Sequence, residues 1–227
     1  MQSNVPERRS MLSALAASVA AFALGSRSAA AQAPAAGFQA ARHPQDAWLD
    51  GVPGTHRTII DASTLNGAGE AMLYANNLYV ANKSGYQLEE RSVAVVVCLR
   101  HFATAFAFND VIWGKYGKAM GAMLNFTDPK TKAAPTTNVL ASPDYGMALS
   151  NFGNTIDSVV KRGTQFAVCD MATHFFAAEM AMQTGGNAEA VYKELVANTI
   201  PNSHMVAAGV LAVNRAQEHG YTLLTAL

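Results

Sequence analysis

Residues 92–98, SVAVVVC, are apolar at every position after the serine and rich in β-branched side chains. A strand with one wet face alternates apolar and polar residues. A run without alternation must be covered on both faces, as in a parallel sheet with helices on either side. Around this run the chain alternates strand and helix patterns. Strand patterns fall at residues 56–62, 92–98, 166–168 (ending at Cys169), 205–208 and 222–227. Helical patterns fall at residues 70–83, 102–116 and 154–162, from Asp170, from Asn187 to the stop at Pro201, and at residues 210–219. This order predicts an α/β fold with a doubly wound, mostly parallel, five-stranded sheet and right-handed crossovers.

Residues 65–69, LNGAG, read as a turn between the first strand and its helix. They do not make a dinucleotide or phosphate cradle, because the third glycine is missing and no Walker-type lysine follows. Phe102, Phe106 and Trp113 share a stripe of the helix predicted over residues 102–116, and such a stripe is a core-packing pattern. Residues 118–145 carry Pro129, Pro135 and Pro143 and break any regular pattern. A stretch of that length suggests a lid, or an arm reaching a neighbouring subunit.

The chain has 227 residues, zero formal net charge, 50% apolar residues and two cysteines. The charge balance offers nothing to a nucleic acid, and two cysteines are too few for a disulfide framework. Stability therefore has to come from a hydrophobic core in one domain over residues 55–227. Arg8 and Arg9, an apolar run over residues 12–24 and Ala29-Ala30-Ala31 fit a twin-arginine export signal cleaved before Gln32. That run is shorter than the roughly 20 residues that span a bilayer, so no stable membrane span is expected. The periplasm is the expected location, and residues 32–54 read as a tether.

Chemistry concentrates at Cys169. It ends the apolar run 166–168, with Asp170 as a candidate N-cap for the helix that follows. A thiol at the carboxyl end of a strand and the amino end of a helix sits where open α/β sheets place ligands. Backbone N–H groups and the helix dipole there favour a thiolate, while burial and Asp170 oppose it. His101 and Arg100, after the Val-rich strand, are candidate helpers at the same edge, His101 to polarise the thiol and Arg100 to hold an anion. His174, five residues along the helix from Cys169, points elsewhere. Cys98 and His101 have the C-x-x-H spacing of soft metal ligands, with Cys169 as a third candidate and no fourth group apparent. No cofactor motif is present.

Residues 207–221, AAGVLAVNRAQEHGY, and the strand closing on Cys169 resemble the DsrE/DsrF-like family of sulfur-relay proteins, particularly its exported members. The resemblance covers roughly residues 57–227 as a pattern rather than a short signature. It implies a flavodoxin-like layer, assembly into homo-oligomers, and a cysteine after a central strand that carries sulfur as a persulfide. Only Cys169 matches that position. A sulfur donor or acceptor protein would then be a partner. The expected function is a sulfur carrier or a thiol-redox protein using Cys169, and the rival expectation is a non-catalytic binding or assembly module on the same fold. In a flavodoxin-like strand order the first strand lies between those of Cys98 and Cys169, which places the thiols roughly 10 Å apart and predicts no disulfide.

Overall fold

In a computed structural model, Gly37 and residues 39–227 are described. Arg8 and Arg9, the apolar run over residues 12–24 and the expected cleavage before Gln32 lie outside them. From Ala40 onward the chain is one unit. Five parallel strands form its sheet: β1 (His56–Ala62), β2 (Val93–Leu99), β3 (Gln165–Cys169), β4 (Ser203–Val206) and β5 (Thr222–Ala226), in the order β4-β3-β2-β1-β5. The helices are α1 (Trp48–Gly51), α2 (Leu65–Tyr86), α3 (Asp110–Leu124), α4 (Ile156–Lys161), α5 (Asp170–Thr184), α6 (Ala188–Ala197) and α7 (Gly209–Glu218). Among the described residues no helix is long and apolar enough to cross a membrane.

The predicted five-stranded, doubly wound α/β layer is present, and every residue of β2 is buried, as its unbroken apolar run requires. One core lies between the sheet and α2 to α6, with Ile60, Val95, Val97, Leu99, Phe166 and Val168 facing Phe106, Trp113, Phe176 and Leu195. The second core lies on the opposite face, where Ile59, Ala94, Val96, Cys98 and Ala167 meet Ala212, Val213 and Ala216 of α7 and Leu49 and Val52. Thus α7 alone of the crossover helices covers this second face.

The expected strand order is corrected. The strands of Cys98 and Cys169 are adjacent, with Cys98 opposite Ala167 and Leu99 opposite Val168. Because β-strand side chains alternate, Cys98, Ala167 and Cys169 share one face. One inter-strand step and two residues of rise separate the cysteine Cα atoms by about 8 Å. Both thiols are free.

Four local readings change as well. Residues 44–52 are not tether: Leu49 and Val52 are buried, Arg57 donates to the Leu49 and Val52 carbonyls at 2.8 and 2.9 Å, and Tyr221 Oη donates to Leu49 at 2.8 Å. The apolar residues hidden in a polar, alanine-rich stretch strap it to the second face. The predicted helix 102–116 is two elements, a 3-10 turn (His101–Ala107) and α3, with Asn109 capping α3 through Val111 N–H. Phe106 and Trp113 remain core residues, but Phe102 is left at the surface. Residues 65–69 lie in the first turn of α2, capped by Thr64, and a Cβ on Gly67 would come within 2.5 Å of the Ala226 carbonyl oxygen. That glycine serves close packing of α2 on β5.

Residues 118–145 are neither an extended arm nor a lid over the cleft described below. α3 runs on to Leu124, and the remainder is stapled to the helical layer. Buried Asn138 donates to the Phe106 and Phe108 carbonyls, both at 2.9 Å, and buried Asp128 accepts from Tyr145 Oη at 2.7 Å and from two backbone N–H groups. Buried polar side chains that find backbone partners replace regular secondary structure here.

Candidate functional site

In a doubly wound sheet, a crevice opens where the connections after two neighbouring strands leave toward opposite faces. Here β3 leads into α5 on one face and β4 leads into α7 on the other. The crevice therefore lies at the carboxyl ends of β3 and β4. A cleft of about 430 Å³ occupies that place, lined by Arg100, His101, Phe102, Cys169, Met171, Ala172, Phe175, Ala208, Gly209 and Val210. Its volume is within the range of small-molecule sites.

Cys169 lies at the base of this cleft with 7% of its surface exposed. It is itself the N-cap residue of α5, in extended conformation, and no side chain caps the helix. Asp170 does not act as the cap. It is the first residue of the helix, and its carboxylate accepts from Tyr192 Oη at 2.7 Å, which pushes the Tyr192 hydroxyl up to about 12. The carboxylate is thus tied to α6 instead of to the α5 amides. The first turn of α5 is left to present its N–H groups, with the positive end of the helix dipole, beside the thiol. The amino end of α7 also borders the cleft, and it too lacks a side-chain cap.

Arg100 lines the cleft but is already paired. Its Nε and Nη2 donate to the two carboxylate oxygens of Asp61 at 2.7 and 2.9 Å, a bidentate bond that raises the guanidinium pKa. It is a fixed cation at the wall instead of a mobile anion clamp. Its stem requires Gly209, since a Cβ there would lie 2.3 Å from Arg100 Cβ.

His101 begins the turn after β2 with φ +52°, a left-handed conformation uncommon outside glycine. The turn brings His101 to the mouth of the cleft, its ring stacked on Phe102 at 4.0 Å. His174 is outside the cleft, stacked on Tyr192 at 3.9 Å and near Asp170 at 3.6 Å. Cys98 is wholly buried and its Sγ donates to the Gly209 carbonyl at 3.5 Å. Burial first, then the charges of Asp61 and Cys169, push the Cys98 thiol strongly up, with Arg100 in partial opposition. The C-x-x-H pair is therefore split between core and mouth. Among the described residues no three His, Cys, Asp or Glu side chains gather to hold a metal ion.

The structure brings together Cys169, Arg100 and His101. Sequence reasoning missed the apolar walls, Phe102, Met171, Phe175 and Val210, and the amino end of α7. The available signal was that large apolar residues stand at the starts of helices, where a buried stripe is not yet established. No family model matches the chain, and no curated protein matches it.

Proposed function

We propose that the protein is a sulfur carrier in which Cys169 accepts a sulfane sulfur as a persulfide, in keeping with the DsrE/DsrF-like resemblance. The observation that carries this reading is the placement of Cys169: a free thiol at the base of a cleft, at the open amino end of α5. A persulfide there is an anion whose terminal sulfur projects toward the cleft, and uncapped backbone N–H groups and the helix dipole favour negative charge. Carrying sulfur on one cysteine suits the pair better than dithiol redox cycling. Cys98 is wholly buried, and the two Cα atoms, about 8 Å apart, exceed the roughly 7 Å reach of a disulfide.

The mature protein incubated with inorganic polysulfide gains one sulfur on Cys169, read by mass spectrometry of its peptides. Cys169→Ser stays folded and gains none. Uptake on Cys98 alone, or on neither cysteine, replaces the carrier by the binding-module reading.

Export and self-association belong to the same proposal. Arg8-Arg9 and the apolar run after them support a mature chain beginning near Gln32 in the periplasm. The high apolar content for one domain, 50% of residues, and the family resemblance support a homo-oligomer. Arg8→Lys with Arg9→Lys retains the precursor in the cytoplasm, and sedimentation at micromolar concentration gives a species larger than a monomer.

A further inference from the structure

We infer that the donor served by this cleft is an organic thiosulfonate with an apolar body, R–SO2–S⁻ with R aryl or branched alkyl, in preference to an inorganic polysulfide or thiosulfate. The inference rests on the carrier reading of Cys169 and adds the chemical class of its substrate. Two features of the walls carry it together.

The first is apolarity. Phe102, Met171, Phe175 and Val210 border the cleft and keep 39%, 69%, 48% and 64% of their surface in water. Four large apolar side chains held open around one concavity, with Ala172 and Ala208 between them, form a surface suited to an apolar group. A small, strongly hydrated inorganic anion can use only the polar end of the cleft and gains nothing from these walls.

The second is the charge at the same cleft. The open amino ends of α5 and α7, helices of 15 and 10 residues, both border it, and the Arg100 guanidinium stands at the wall with its charge balanced by Asp61. Asp61 fixes the orientation of that guanidinium through Nε and Nη2. An occupant must therefore combine an anionic oxygen-bearing head with an apolar body. A thiosulfonate has both, and its transferable sulfur is attached to the head, on the side of Cys169.

The reaction is a single displacement. The Cys169 thiolate, its proton given up to solvent, attacks the terminal sulfur. The new Sγ–S bond forms as the S–S bond to the sulfonyl sulfur breaks, and its electron pair leaves with R–SO2⁻, a sulfinate. The thiol is oxidised to the persulfide and the thiosulfonate is reduced to the sulfinate, so no other oxidant is required. The developing sulfinate charge falls on oxygens facing the two helix ends and Arg100.

The test measures persulfide formation on Cys169 of the mature protein with benzenethiosulfonate, methanethiosulfonate and thiosulfate, each rate divided by that of the same donor with glutathione. Burying a phenyl ring is expected to make the normalised benzenethiosulfonate rate at least about tenfold that of methanethiosulfonate. Thiosulfate should be slower still. Phe175→Ala and Val210→Ala, both at exposed positions, should each lower the phenyl-to-methyl ratio by about threefold or more. A phenyl-to-methyl ratio near one with Cys169 still loading, or thiosulfate as the fastest donor, overturns the organic-donor inference and leaves the carrier reading in place. Failure of Cys169 to load from these donors and from polysulfide overturns both.

Discussion

Cys98 and Cys169 stand on the same face of the sheet, one strand and two residues apart, and their surroundings differ in nearly every respect. Cys98 lies inside β2, sealed beneath α7 and bonded to the Gly209 carbonyl, with the Asp61 carboxylate near enough to disfavour its anion. Cys169 lies where β3 stops, so its sulfur meets the start of a helix and an open cleft instead of a covering helix. Two residues of strand length change a core hydrophobe into a candidate nucleophile. The general lesson is that in a doubly wound sheet the chemistry of a side chain is set by its distance from the carboxyl edge.

The largest effect that would break or sharpen this contrast is alkylation. With iodoacetamide near neutral pH, Cys169 in the native protein reacts at least about 100-fold faster than Cys98, because only Cys169 borders a cleft. Peptide mapping reads both sites, and equal labelling without unfolding would erase the distinction.

Asp61→Asn comes next. It removes one partner of a bidentate pair whose side chains are 28% and 12% exposed, and urea denaturation should show a loss of about 2 kcal/mol, below the range for fully buried pairs. It also removes a charge that raises the Cys98 pKa. Labelling of Cys98 at alkaline pH should therefore begin at lower pH than in the wild type. Unchanged stability and unchanged Cys98 labelling would show that the pair matters to neither.

Gly209→Ala has a comparable but smaller effect, about 1–2 kcal/mol, since the added methyl group must displace the Arg100 stem and the backbone whose carbonyl accepts from Cys98. Faster Cys98 labelling should accompany it. A variant as stable as the wild type would mean that Arg100 moves aside freely.

The smallest effect is acid dependence on the Cys98 side. His204 stacks on Trp48 at 4.0 Å, and partial burial lowers its pKa below the ordinary 6.5. The folded state thus disfavours its proton, so this contribution to stability is complete above about pH 6.5. It is lost as the pH falls from there through the lower folded value. Thermal denaturation from pH 7 to pH 5 should show a small decline that His204→Phe reduces. An identical decline in that variant would assign the acid sensitivity to another group.

Much of this molecule is legible in the chain itself. The unbroken apolar run of β2, the alternation of strand and helix patterns and the junction at Cys169 depend on local periodicity and conformational preference, which sequence displays directly. Arg100 and His101 were also legible as neighbours of that edge, because they follow a strand with the same orientation. Tertiary structure alone decided which strand pairs with which, and so that Cys98 adjoins Cys169. It alone sent α7 to the face opposite α5, which opens the cleft between β3 and β4. It tied Asp170 to Tyr192 and Arg100 to Asp61, and it packed residues 44–52 and 118–145 onto the domain. Pairings between residues distant in the chain are chosen by the burial and hydrogen bonding available in the assembled fold, quantities that have no local pattern to read.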